Sequence, residues 1–304
     1  MSGEKELVES FTALGTVVTI HVHGAPRSEA TPAIQGAVGW FHEVERRCSR
    51  FDADSELSRL TTKVGSPVQT SELLFELIRF SLSVAESSEG AFDPTVGARM
   101  AARGFNRHHA TGAVVADVET PGTREDVLLD PVARTITLER PVSFDLGAVA
   151  KGLAIDLAAR ELKPLGNFVI DAGGDGYYGG FNPDGAEWRV GIRHPRDDKA
   201  LIETCSVSNM SVCTSGDYER VSPRDGEPHV LDPASGQAAM RAISATVIAP
   251  TAMVADALAT AAFVLGPDRG IDYLEGQDVE GMIVGSSLRR AETVGFRRYR
   301  RGKA

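Results

Sequence analysis

Valine, threonine and isoleucine alternate with polar residues through GTVVTIHVHG, residues 15–24, and this period of two predicts a strand. PAIQGAVGWFHEVERRCSRF then carries an apolar stripe at helical spacing and predicts a helix over residues 32–51. DSELSRL and SELLFELIRFSLSVAESSEG read as helices, the second opening on Ser71 as N-cap and closing on Gly90. VLLD and TITLE are short strands around DPVAR and predict a hairpin. FDLGAVAKGLAIDLAARELK passes from a strand end into a helix, and GNFVIDAGGDGYYGG is a buried strand running into a glycine-rich turn. EWRVGIRHP, ETCSVSN, MSVCTSGD and ISATVIAP read as successive strands, and TAMVADALATAAFVLG as a helix. Strand clusters separated by helix pairs predict an α+β architecture with mostly antiparallel sheets and flanking helices, two lobes of one unit. No repeat, low-complexity segment or long linker divides the chain.

Composition narrows the function classes. The 304 residues suffice for a substantial core, and 42% hydrophobic with 24% charged residues is ordinary globular usage. A net charge of −10 argues against a nucleic-acid binder, which needs clustered positive charge. The tail GFRRYRRGKA, residues 295–304, is locally basic and reads as a solvated end. Three cysteines without a C-x-x-C pair fit reduced thiols and give no support for a structural zinc site. The start, MSGEKELVES, lacks an apolar signal core, and no apolar run reaches the roughly 20 residues that span a bilayer. The expectation is a cytoplasmic globular protein.

The candidate chemistry is scattered. GDGYYG, Gly174 to Gly179, matches G-x-G-x-x-G behind a strand. A dinucleotide site needs a helix N-terminus directly after those glycines, and this chain turns into another strand instead. Asp256 and Thr260 in VADALATA are spaced i, i+4 on one helix face and offer hard oxygens suited to Mg²⁺. The same pair also reads as a carboxylate favouring the helix dipole with a hydroxyl bonded back to a carbonyl. His229 in HVLDPASGQ is a candidate general base or a satisfied strand-end histidine. His21 and His23 share one face of the first strand and could chelate a metal; with no third ligand evident nearby they read as surface residues. His108 and His109 lie in a polar loop. Thr214 and Ser215 are nucleophile-like, and a turn with backbone-bonded hydroxyls explains them equally well.

Order and spacing together are far more specific. LGTVVTI, CSRFDADSELSRL, GAFDPTVG, FDLGAVAKGLAID, DAGGD, WRVGIRHP, TSGDYER, HVLDPASG and ADALATA occur collinearly across about residues 11–265. In these motifs the chain resembles the ApbE family of FAD:protein FMN transferases. The resemblance implies a single two-lobed, T-fold-like unit spanning the chain. It also implies a Mg²⁺-dependent enzyme that transfers FMN from FAD to a threonine or serine hydroxyl of a target flavoprotein and releases AMP.

Carried over residue by residue, the resemblance puts metal ligation on Asp256, Thr260 and the main-chain carbonyl of Ala148. It puts FAD contacts on Leu14, Phe51, Ala91, Phe92, Asp93, Asp145, Lys151, Val230 and Ala259. His229 matches the histidine suspected of assisting the acceptor hydroxyl, with Asp256 the second catalytic residue. The alternatives are an FAD pyrophosphatase, in which water replaces the acceptor, and a non-catalytic FAD-binding protein. The chain departs from the family in lacking an export signal and lipid-anchor cysteine, so its targets are expected in the cytosol. It also departs in LGT, in Phe51 where tyrosine is frequent, and in Lys151, a position variously acidic or basic.

Overall fold

The residues of alternating pattern pair as they should. Strand β1 (Glu6–Ala13) and strand β2 (Thr16–His23) form an antiparallel hairpin, with Val18, Ile20 and Val22 buried and the residues between them facing the other way. Leu14 and Gly15 turn the corner with φ of 51° and 76°, the double positive φ that suits the twist of a two-residue hairpin. The Leu14 N–H donates to Glu45 Oε1 at 2.9 Å, which ties that strained turn to the first helix. The structure is a computed structural model describing residues 6–107, 112, 114, 121–219, 221–222 and 226–300. His108, His109, Arg220 and the last four residues of the basic tail lie outside the described residues.

Helix α1 (Arg27–Cys48) buries Ala30, Ile34, Ala37, Phe41, Val44 and Cys48 along one stripe. It starts five residues before the predicted position, so Pro32 lies inside it and costs one helical hydrogen bond. Helix α2 (Glu56–Thr61), strand β3 (Val68–Gln69), helix α3 (Glu72–Ser87) and helix α4 (Gly97–Ala102) follow. Ser55 and Ser71 cap α2 and α3 through their hydroxyls. Strands β4 (Val127–Asp130) and β5 (Thr135–Leu138) form the predicted hairpin, and with β3 make a three-stranded sheet.

Helix α5 (Gly147–Leu162) begins where the sequence predicted it, but Phe144–Leu146 are not a strand end. That segment is irregular and bonded to the 94–97 loop, by Asp145 N–H to the Pro94 carbonyl and Gly97 N–H to the Ser143 carbonyl. Strands β6 (Asn167–Ala172) and β7 (Asp175–Gly179) join through Gly173 and Gly174, both at positive φ, so GDGYYG is a hairpin and a strand and not a phosphate loop. The remaining elements are β8 (Trp188–His194), β9 (Asp197–Val207), β10 (Met210–Gly216), β11 (Ala242–Ala249), α6 (Ala252–Leu265), α7 (Pro267–Gly276), β12 (Glu280–Gly285), β13 (Arg290–Glu292) and a 3-10 turn, Val294–Tyr299.

The main sheet runs β1-β2-β6-β7-β10-β11-β12-β13 with every neighbour antiparallel. One hydrophobic cluster covers one of its faces with α1, α5 and α6 and continues to α3 and the small sheet. A second cluster covers part of the opposite face, where the β8–β9 hairpin and Phe296 pack on Val212, Ile243, Ile248, Met282 and Val284. All eight residues of β11 are buried as a result.

Candidate active site

Helix α6 is apolar on every side and lies inside the protein; only Met253, Val254 and Thr260 keep partial exposure. Its sole ionisable side chain is Asp256, 6% exposed. A carboxylate in such a place requires compensation, because desolving a charge is expensive. Lys151, one turn into α5, provides it: its Nζ lies 3.1 Å from Asp256 Oδ2 and also contacts Asp175 Oδ2. Asp175 opens β7, is itself buried, and accepts the Thr214 N–H at 2.7 Å through Oδ1.

The two helices are held in this register by α5. A Cβ on Gly152 would lie 2.5 Å from the Ala252 carbonyl oxygen and the Met253 Cα, so only glycine permits the approach. One turn on, Asp156 accepts the Ala252 and Met253 N–H groups at 2.7 and 2.9 Å and caps α6 from outside the helix. Burial pushes the Asp156 carboxyl up to about 6, and the nearby Asp256 charge adds to the rise, whereas the two N–H bonds and Arg160 oppose it. Three carboxylates, Asp156, Asp175 and Asp256, thus converge on the α5–α6 junction.

Thr260 lies one turn after Asp256 and its hydroxyl is 3.1 Å from Ser215 Oγ on β10. Thr214 and Ser215 are strand residues, not a turn, and their hydroxyls meet the side chains of Thr246 and Thr260. Ala148 is the second residue of α5, where its carbonyl enters the helix ladder and keeps a second lone pair. Carboxylate, hydroxyls and carbonyl are hard oxygens, and the Lys151 ammonium already occupies this acidic junction as a cation. The donor set therefore fits a Mg²⁺-like ion.

A second network precedes α5. Arg50 reaches Asp145 Oδ2 at 3.2 Å and the Phe105 carbonyl at 2.5 Å, and its guanidinium lies 4.6 Å over the Phe51 ring. Asp145 Oδ1 accepts the Gly147 N–H at 3.0 Å, which fixes the entry to α5. Asp93 Oδ1 accepts both the backbone and hydroxyl of Thr95, at 2.8 and 2.6 Å, and shapes the loop after Ala91 and Phe92. Phe92 is buried, whereas Leu14, Phe51, Ala91 and Asp93 are half-buried.

His229 stands on a turn held by α4 and the residue after it. Arg99 donates to the Pro233 carbonyl, and Arg103 donates to Pro228 at 3.0 Å. The His229 ring packs edge-on to Phe105 at 6.4 Å, so Phe105 joins this turn to Arg50 and the entry of α5. Val230 is buried beneath it and its carbonyl accepts the Ala239 N–H at 2.9 Å. Ala259 has no exposed surface and acts as core packing behind Asp256 and Thr260. Sequence reasoning had not singled out Arg50, Asp156 or Asp175. Asp175 stood in the quoted DAGGD and Arg50 beside Phe51, but their partners come from distant elements.

An α+β protein with a buried carboxylate and a half-buried hydroxyl one turn apart on one helix, facing the start of another, is thereby defined. The sequence matches the ApbE family over residues 14–283, and the chain belongs to that family. The FAD:protein FMN transferase of Treponema pallidum is 32% identical over 328 residues, covering 96% of this chain and 88% of that protein. The FAD:protein FMN transferase of Vibrio cholerae serotype O1 is 30% identical over 287 residues, 90% of this chain and 86% of its own. Among solved structures, the ApbE protein of Thermotoga maritima superposes with a TM-score of 0.86 at 28% identity, covering 98% of this chain and 100% of that one. The flavin transferase ApbE of V. cholerae gives 0.83 at 25% identity, over 97% and 99%. The expected fold and family are borne out. Among the described residues no helix is long and apolar enough to cross a membrane.

Proposed function

We propose that the protein transfers the FMN half of FAD to a serine or threonine hydroxyl of a target flavoprotein and releases AMP, with Mg²⁺ held by Asp256, Thr260 and the Ala148 carbonyl. The observation that carries this reading is the single carboxylate of α6, buried among apolar residues and matched to Lys151 and to a hydroxyl one turn away. The names of the relatives at about 30% identity support the same activity. A bound Mg²⁺ would neutralise charge on the FAD pyrophosphate and improve AMP as a leaving group.

The chain's own groups supply the rest. Lys151 brings a fixed positive charge to the acidic junction. Leu14, Phe51, Ala91, Phe92, Asp93, Asp145 and Val230 form the surroundings of the nucleotide, with Ala259 packing behind. His229 takes the proton from the acceptor hydroxyl as its oxygen bonds to the FMN phosphorus and the bond to the AMP phosphate breaks.

The test is incubation with FAD, Mg²⁺ and a target protein bearing an acidic-Ser/Thr-Gly acceptor. The expected result is one FMN added to the target mass for each AMP released. AMP without added mass would replace the transferase reading with the pyrophosphatase, and FAD binding without AMP would leave only storage. Asp256→Ala is expected to abolish turnover with FAD affinity largely kept; activity fully restored to it by Mg²⁺ would remove Asp256 from the metal site. His229→Ala is expected to lower transfer more than FAD affinity, whereas equal losses would assign His229 to binding.

A further inference from the structure

Strand pairing supplies what the sequence lacked around His21 and His23. In the β1–β2 register Glu6 lies opposite His23, and Val8 opposite His21. Because Val18, Ile20 and Val22 point into the core, the two histidines and Glu6 share the other face of the sheet, away from the helices. His21 Nδ1 is 2.8 Å from Glu6 Oε1, and His23 Nε2 is 3.6 Å from the same oxygen. The three donor atoms all lie within 4.8 Å of one another. The imidazole rings are stacked, 6.4 Å apart at 5°, and the His23 ring rests 5.3 Å from Trp188.

We propose that Glu6, His21 and His23 bind a late first-row divalent ion of the zinc class, with a fourth position open to solvent. Around a tetrahedral ion with bonds of about 2.0–2.1 Å, donor atoms stand roughly 3.3 Å apart, inside the observed spread. Two imidazoles and one carboxylate suit Zn²⁺, Co²⁺ or Ni²⁺ rather than Mg²⁺, which prefers oxygen. The i, i+2 spacing fixes both rings on one side of a rigid strand, and Trp188 holds His23 in place. Glu6 and His21 are each more than a third exposed at the side chain, which leaves the approach to the site open. Either histidine alone would make an ordinary ion pair with Glu6; the convergence of both on one oxygen brings three metal-binding atoms together. The site lies on the sheet face opposite to the α5–α6 junction, and its donors select a different class of ion.

The test uses tag-free, full-length protein stripped with EDTA and titrated with Zn²⁺ against a chromophoric chelator. One Zn²⁺ per chain is expected, with a rise in Tm on binding. His21→Gln combined with His23→Gln should weaken binding by roughly tenfold or more, because loss of a ligand exceeds the cost of losing its outer partner. Glu6→Gln should weaken it less. With Co²⁺ in place of zinc, visible bands of a tetrahedral ion should appear in wild type and in Asp256→Ala, and vanish in the double histidine variant. Circular dichroism without metal should match wild type in Glu6→Gln and in the double histidine variant, since none of these three side chains belongs to either hydrophobic cluster. Unchanged zinc affinity in the double variant, loss of zinc in Asp256→Ala alone, or no zinc bound at millimolar concentration would overturn the proposal.

Discussion

Lys151 sets its ammonium against two buried carboxylates, Asp175 and Asp256, and its own side chain is only 19% exposed. Removing one member of such a group leaves the others desolvated and uncompensated, which costs about 3–5 kcal/mol in comparable cases. Lys151→Met, which keeps the alkyl stem, is therefore expected to lose stability on that scale in urea unfolding. Mg²⁺ should raise its Tm more than that of wild type, since the ion supplies the missing positive charge; no difference in the Mg²⁺ response would separate the metal from these carboxylates. At this scale the sequence was partly legible. Asp256 and Thr260 could be paired because i, i+4 spacing is local. Asp175 and Glu6 could not be assigned partners, because Lys151 and the two histidines reach them only through strand and helix packing.

Helix α6 takes its start from α5. Asp156 caps its first two N–H groups, and Gly152 lets the two backbones meet. The Asp156 carboxyl, pushed up to about 6 by burial, binds its proton more tightly in the folded protein than in the unfolded chain. Its contribution to stability is therefore fullest below about pH 4 and is lost as pH rises through about 6. The change amounts to at most about 3 kcal/mol. Asp156→Asn should lower stability through the lost cap while flattening the Tm profile between pH 4 and 7. An unchanged slope would mean that another group governs this range. Element boundaries followed the same division between local and distant causes. Ser71 marks the start of α3 by its own side chain, so that start could be read. The start of α1 could not, because Pro32 resembles a beginning and in fact lies in the second turn. Strand β1 escaped notice because its pattern is mostly exposed, as an edge strand with one covered face allows.

The whole molecule is a sheet with unequal faces. Helices and the small sheet cover one, where the α5–α6 junction lies, and the β8–β9 hairpin with the C-terminal 3-10 turn covers part of the other. Phe296 is fully buried in the second cluster, so Phe296→Ala should cost about 3–5 kcal/mol by opening a cavity. Activity at low temperature should survive, because the Asp256 network belongs to the opposite face; loss of activity in a folded variant would show that the two faces are coupled. The antiparallel strand content was legible from composition and period. The strand order was not, since β2 pairs with β6 across everything from α1 to α5.

That pairing makes the candidate site a seam. Leu14, Phe51, Asp93, Asp145 and Lys151 come from the chain up to α5, whereas Ser215, His229, Asp256 and Thr260 come after β7. A ligand that touches both sides acts as a crosslink between the two stretches of chain. Its binding energy opposes their separation, so openings confined to one stretch give way to openings that engage both. With such a ligand bound across the seam, amide exchange in α5 and α6 would slow together, and the ligand would become part of what makes the protein unfold as a unit.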